Sequence, residues 1–311
     1  MEVFTRKFIA RNFYLLNIYI KLRKFFKPTI NETGGTSNPN YCYSLFLRTF
    51  NSYFKYCNKI PKGILEVGPG DSNVVSLLWL MIGSKKVISI DAYEYLKKDQ
   101  LIDNFKSSSE LLINKSFCKS NINPKLNLNI YEKLWTILPP LKELRKRQKI
   151  ILNEIHNFNL NKESKMFSYI PNYTLKQKFS LKFDLIFSQA VFEHIKEPKK
   201  VLNFIHNNLS NNGIVYTSVD FKSHGSSTLF NGHYLFSESQ YKKISSLYLF
   251  RFINRLPPSW FEKYLNKKFK LLEQNNINEK SLISYNEIKS KDILEEDLSI
   301  SSSLFISKKN N

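Results

Sequence analysis

"PKGILEVGPGDSNVVSLLWLMIGSKKVISIDAYE", residues 61–94, is the stretch that decides the fold. A short apolar run ends in two glycines, Gly68 and Gly70, inside "EVGPG". "SNVVSLLWLMI" at 72–82 then reads as a buried helix, and "KKVISIDAYE" at 85–94 as a second β-rich run ending in Asp91. The order strand, glycine turn, helix, strand predicts one right-handed βαβ unit.

The same alternation continues downstream. "FDLIFSQAVFEHI" at 183–195 and "GIVYTSVDF" at 213–221 are predicted strands feeding loops, separated by the helical stretch "EPKKVLNFIHNNLS". "KKFKLLEQ" at 267–274 and "SISSSLFISKK" at 299–309 read as two closing strands. An α/β fold follows, with an open, mostly parallel sheet and helices on both faces. Between Asp91 and Phe183 lie about ninety residues, far more than one crossover needs. "LKELRKRQKIILNEIHNF" at 141–158 is a predicted helix with Leu141, Leu144, Ile151 and Ile155 on one side. The region from about residue 100 to 165 is therefore expected to be a helical insertion. Residues 1–60 are expected to form an N-terminal helical extension or lid, and residues 61–311 the α/β domain.

Composition bounds the rest. Hydrophobic residues make up 42% of the 311 and aromatics 14%, which excludes intrinsic disorder. Lys and Arg number 47 against 26 Asp and Glu, a net charge of +21. Such a surplus predicts attraction to anionic surfaces or phosphorylated substrates, although the lysines are spread along the chain. Cys42, Cys57 and Cys118 are scattered singly, so no disulfide framework or zinc knuckle is expected, and a reducing, cytoplasmic location fits them better.

Residues 1–27, "MEVFTRKFIARNFYLLNIYIKLRKFFK", are too short in their apolar part to span a bilayer, and no signal-peptide cleavage site follows. Phe4, Phe8, Leu15, Tyr19, Leu22 and Phe26 nevertheless fall at helical spacing beside several Lys and Arg residues. This pattern fits a basic amphipathic helix lying on the inner face of an anionic membrane. An ordinary surface helix packing its apolar stripe on its own domain carries the same pattern.

In open α/β sheets ligands bind outside the carboxyl ends of the strands, where glycines let the backbone approach closely. Asp91 suits an acid at the tip of the second strand, accepting hydrogen bonds from ribose hydroxyls. The third glycine of a dinucleotide site is missing, because Asn73 stands there. The glycine turn alone leaves a cofactor site and a structural turn both open.

"LEVGPGDS", the acid Asp91 and "FDLIFSQAVFEHI" together resemble the class I S-adenosylmethionine-dependent methyltransferases. "GPGDS", "DLIFSQAVFEH" and "DFKSHG" followed by "NGH" look like a bacterial subgroup often linked to surface-polysaccharide synthesis. The motifs cover residues 61–221, and "NVVSL" after Ser72 departs from the small residues expected there. The resemblance implies a Rossmann-like fold with a mostly parallel seven-stranded sheet and S-adenosyl-L-methionine as cofactor. It also implies Glu66, Gly68 and Gly70 around the methionine moiety, with Asp71 and Ser72 close by, Asp91 on the ribose, and Ser188, Gln189 and Ala190 on the cofactor's other side. Glu193 and His194 become the start of the helix after the fourth strand.

"DFKSHGSSTLFNGH" at 220–233 follows the predicted fifth strand, on the edge where the glycine turn is expected. A histidine there suits removal of a hydroxyl proton during methyl transfer. His224 is ranked first as base and His233 second. Asp220 orients an imidazole or the acceptor, and Lys222 and Asn231 bind substrate oxygens. No metal is assigned, although Asp220, His224 and His233 could serve as three ligands; histidines without a chemical role are the other reading. The expected acceptor is a sugar hydroxyl of a cell-envelope glycan or its phosphorylated or lipid-linked precursor. A lipid or other small acceptor at the membrane is the alternative. A nucleic-acid-binding protein without catalysis is a third, disfavoured because no recognition-helix or base-stacking motif accompanies the lysines.

Overall fold

The computed structural model describes residues 3–26, 35–118, 128–158, 165–176, 178–247 and 252–310. In chain order these form α1 (Val3–Arg11), α2 (Phe13–Phe26), α3 (Pro39–Phe54), β1 (Gly63–Val67), α4 (Val74–Ile82), β2 (Lys86–Ile90) and α5 (Lys98–Ile113). There follow α6 (Leu128–Ile137), α7 (Leu141–His156), β3 (Phe167–Ile170), β4 (Phe183–Gln189), α8 (Pro198–Asn208), β5 (Leu209–Asp220), α9 (Glu238–Leu247), α10 (Pro258–Lys268), β6 (Phe269–Asn278) and β7 (Ile300–Lys309). The strands make one seven-stranded sheet in the order β3-β2-β1-β4-β5-β7-β6. β1 pairs in parallel with β2 and β4, β2 pairs in parallel with β3, and β6 and β7 close the sheet as an antiparallel pair. This is the Rossmann-like arrangement expected. β3 follows directly after the region expected to be a helical insertion, of which residues 119–127 and 159–164 lie outside the described ones.

Backbone contacts divide the chain into two compact units, one of residues 32–189 and 204–216, the other of residues 1–31, 190–203 and 217–310. In the first, every residue of β1 and of α4 is buried, so neither has a polar face. Parallel strands covered on both sides read as continuous apolar runs for this reason. Trp79 of α4 is fully buried and meets Phe46 of α3 edge-on at a centroid distance of 5.4 Å. α3 starts where Pro39 takes the first turn and the Asn38 side chain accepts from the N–H groups of Asn40 and Tyr41, supplying partners the helix cannot provide itself. On α7, Leu144, Ile151 and Ile155 are buried, but Leu141, expected in the same stripe, is exposed at the helix start.

The second unit explains the N-terminus. Asn12 interrupts the expected single helix, and its Oδ1 accepts from the N–H groups of Tyr14 and Leu15, capping α2. Ala10, Leu16 and Ile20 are buried in a cluster with Leu229, Tyr234, Leu235, Phe236, Tyr241 and Ile244. The Arg6 guanidinium donates to the Thr228 carbonyl while the Thr228 hydroxyl donates to the Arg6 carbonyl, and Arg11 pairs with Glu287. One face of the helix pair, with Ala10, Leu16 and Ile20, thus belongs to the core, whereas Phe4, Phe8 and Leu22 of the expected stripe are exposed. Met1, Glu2 and Lys27 of the N-terminal stretch lie outside the described residues.

Candidate active site

In the first unit the site grows from the turn after β1. Gly68 and Gly70 hold φ of 73° and 70°, in the left-handed region where a side chain would strain the backbone. The Gly68 N–H donates to the Ile90 carbonyl at 2.9 Å, and the Gly70 N–H to Asp91 Oδ2 at 3.3 Å. The turn is thus tied to the end of β2 at two points. Asp91 Oδ1 accepts from the Tyr93 N–H at 3.3 Å. Burial pushes the Asp91 carboxyl up to about 6, against the lowering effect of the backbone N–H groups of Tyr93, Gly70 and Ala92.

Glu66 is fully enclosed, and its Oε2 accepts from the hydroxyls of Ser76 on α4 at 2.7 Å and Ser89 on β2 at 3.1 Å. Burial drives its carboxyl up to about 8, more than the two hydroxyls lower it, and Asp91 adds to the rise. The Asp71 N–H donates to the Thr36 hydroxyl at 3.1 Å. Ser72 is buried, its Oγ accepting from the Val74 N–H at 3.3 Å and from Asn104 Nδ2 at 3.1 Å. Asn104 Nδ2 also donates to the Thr36 carbonyl at 2.7 Å. Thr36 and Asn104 brace the turn and escaped the sequence reading; the available signal was a polar residue, Asn104, among the buried positions Leu101, Phe105 and Ser108 of one helix.

At the end of β4, Ser188 is buried with no hydrogen-bond partner for its hydroxyl, and Gln189 Oε1 accepts from the Tyr216 hydroxyl at 3.3 Å. Both amide atoms of buried Asn73, at the start of α4, likewise have none. Orphaned buried polar atoms call for a polar ligand or water. Beside them stand two carboxyls whose charged forms are disfavoured by burial, a setting that hydroxyl donors and a cationic group would relieve. The residues present therefore fit a ligand with ribose hydroxyls and a positive methionyl end: Asp91 would hold the hydroxyls, and Asn73, Ser188 and the glycine backbone would meet polar groups.

The histidine-bearing loop belongs to the second unit. Ala190 sits at φ 53° with its N–H donating to the Ser218 carbonyl of β5 at 2.9 Å. Asp220 ends β5; its Oδ1 accepts from the Lys222 N–H at 2.9 Å and its Oδ2 lies 3.8 Å from His224 Nε2. His224 and Gly225 hold positive φ of 45° and 87°, so the chain reverses sharply at the imidazole. The His194 ring lies 5.0 Å from that of His224, and its Nδ1 is 2.7 Å from the Phe252 carbonyl oxygen.

The other predicted residues lie elsewhere. Lys222 pairs with Glu279 at 2.7 Å. Asn231 is buried, with Nδ2 donating to the Ser281 hydroxyl and the Leu298 carbonyl. His233 is fully buried against the Tyr234 ring, and burial, then the nearby Arg255, holds its imidazole well below the ordinary value. Gly232 of "NGH" is required by space, since a Cβ there would come within 2.1 Å of Ser227 Oγ. Among the described residues, the three that converge closely enough to share a cation are Glu193, His194 and His224, with ligand atoms within 4.8 Å of one another; His233 is not one of them. Glu193 is buried, neither oxygen makes a hydrogen bond of ordinary geometry, and burial raises its carboxyl well above the usual range despite backbone N–H groups that oppose the rise.

A family profile described as "Methyltransferase domain" matches residues 40–266, more than half of the chain. No curated protein sequence matches. Solved structures that are similar include N-methyltransferase NodS from Bradyrhizobium japonicum WM9 in complex with S-adenosyl-L-homocysteine, at 9% identity, TM-score 0.41, covering 95% of this chain and 99% of that one. Magnesium protoporphyrin IX methyltransferase from Synechocystis PCC 6803, also with bound S-adenosyl-L-homocysteine, is 11% identical, with TM-score 0.42 and coverage of 98% and 100%. A third, named as a methyltransferase of Bacillus halodurans C-125, is 12% identical, with TM-score 0.44 and coverage of 85% and 99%.

Proposed function

The chain belongs to the methyltransferase-domain family and is an S-adenosylmethionine-dependent methyltransferase, and we propose that its acceptor is a hydroxyl, on a sugar of a cell-envelope glycan or of its phosphorylated or lipid-linked precursor in the cytoplasm. The observation that carries the hydroxyl reading is the pairing of His224 with Asp220, 3.8 Å apart on a tightly turned loop. When bound, the cofactor supplies a methyl group on a sulfonium, whose sulfur leaves as a neutral thioether without needing an acid.

Methyl transfer to an oxygen would release the hydroxyl proton, which must go to a base. His224 takes that proton, and the Asp220 carboxylate stabilises the imidazolium that results. Asp91 would hold the ribose hydroxyls, and the Gly68–Gly70 backbone would let the cofactor approach closely. Ser188 and Gln189 at the end of β4, with Ala190 just after it, would line the cofactor's other side, while Glu66, Asp71 and Ser72 shape the turn. His233, buried and held neutral, and Asn231, committed to Ser281 and Leu298, support the loop from inside rather than meeting the acceptor. The net charge of +21 suits a phosphorylated acceptor.

The test is incubation of the purified protein with S-adenosylmethionine and a panel of nucleotide-sugars, polyprenyl-phosphate sugars, amines and phospholipids, followed by mass spectrometry. An O-methylated sugar supports the proposal. Methylation confined to an amine, to a phospholipid or to a nucleic acid overturns it.

A further inference from the structure

The N-terminal helix pair carries more apolar surface than its packing uses. Ala10, Leu16 and Ile20 face the core. On other faces Phe4 and Phe8 of α1 are 77% and 57% exposed, and Tyr14, Ile18 and Leu22 of α2 are 78%, 54% and 53% exposed. Within each helix these residues recur every fourth position, so each set lies along one line of the helix. Single exposed apolar side chains are ordinary, but two rows within twenty-two residues mark an interaction surface.

The charge around the rows says what they meet. Residues 3–24 hold six cations, Arg6, Lys7, Arg11, Lys21, Arg23 and Lys24, and no acid. A second copy of the chain, itself at +21, would be repelled from such a face. A polyanion such as RNA would satisfy the cations and leave Ile18 and Leu22 in water. A surface that is anionic outside and apolar beneath satisfies both. Among the described residues no helix is long and apolar enough to cross a membrane. We propose that α1 and α2 dock flat on an anionic lipid bilayer, placing Phe4, Phe8, Tyr14, Ile18 and Leu22 at the acyl boundary and Lys7 and Lys21 at the lipid phosphates. Arg6 on Thr228 and Arg11 on Glu287 fix the helices within the second unit, so the rows are presented from a folded platform. The inference stands apart from the identity of the methyl acceptor.

The experiment is flotation of the full-length protein with vesicles of phosphatidylcholine alone and with roughly 30% phosphatidylglycerol. The comparison protein carries Phe4→Ser, Phe8→Ser, Tyr14→Ser and Ile18→Ser together, all at exposed positions. Wild type is expected to float with the anionic vesicles, to bind neutral ones at least about tenfold less, and to lose binding when salt rises from about 0.1 to about 0.5 M. The variant is expected to lose about tenfold or more in binding while keeping the wild-type melting curve and cofactor affinity, which separates this test from that of the enzymatic reading. Wild type that ignores anionic vesicles overturns the proposal, as does a variant that binds them equally well. A wild-type dimer that the four serines convert to a monomer overturns it too, by making the rows a subunit contact. If the fourfold variant does not fold, Tyr14→Ser with Ile18→Ser alone is held to the same criteria.

Discussion

Asp91 and Glu66 show how burial writes pH into this site. Asp91 must be ionised to accept from two hydroxyls, and burial raises it to about 6. Cofactor affinity is therefore expected to fall as pH drops through about 6, read by isothermal titration, with Asp91→Ala costing on the order of 1–3 kcal/mol at neutral pH; affinity unchanged in that variant would remove Asp91 from the ribose. Glu66 rises from 4.5 to about 8 in the fold. A raised acid binds its proton more tightly folded than unfolded, so its contribution to stability is complete below 4.5 and is lost as pH climbs through about 8. Glu66→Gln should flatten that decline, seen as a smaller drop in Tm, by at least about 2 °C, between acidic and alkaline melts; an equal drop in both proteins would mean the decline comes from other groups. Sequence reading identified both acids but not the hydroxyls on Glu66. Those partners depend on register: Glu66 stands opposite Ser89 only because β1 and β2 pair as they do, and Ser76 reaches it from α4.

The helix pair and the loop after β5 differ in how far the sequence revealed them. The periodic Phe and Tyr residues announced helices, yet the break at Asn12 and the choice of buried face were not legible, since apolar residues occur on several faces and only tertiary contacts select Ala10, Leu16 and Ile20. Leu16→Ala is expected to cost about 2–5 kcal/mol by chemical denaturation, as for a large core residue, where a purely peripheral helix would lose almost nothing. β3 was missed because four residues, Phe167 to Ile170, carry too little pattern to stand out and owe their strand form to pairing with β2. The loop at 220–233 was recognised by its histidines, but the enclosure of His233 and Asn231 was not, because the partners Arg255, Ser281 and Leu298 lie far along the chain. His224→Ala is expected to keep cofactor affinity and slow methyl transfer by roughly 10²–10⁴-fold. Full activity in that variant would take His224 out of the reaction. Chelator is expected to leave the wild-type rate unchanged; inactivation reversed by a divalent ion would instead assign Glu193, His194 and His224 to a metal.

At the scale of the molecule, the fold was the most legible property, because strand, glycine turn, buried helix and strand follow one another in 61–94 with no competing period. The closing pair β6 and β7 was visible from Phe269, Leu271 and Leu272 in one run and Leu304, Phe305 and Ile306 in the other. The acceptor was not legible, since its binding is set by loops whose side chains find partners only after folding. The net charge of +21 points to anions without naming one. A glycine turn and Asp91 that serve an S-adenosylmethionine-dependent transferase must bind its demethylated product. Isothermal titration of the full-length protein with S-adenosyl-L-homocysteine and, separately, with NAD tests it most directly. Saturable binding of S-adenosyl-L-homocysteine, weakened by Asp91→Ala, is expected, with little heat from NAD; tight NAD binding with no response to S-adenosyl-L-homocysteine would make the turn a dinucleotide site instead.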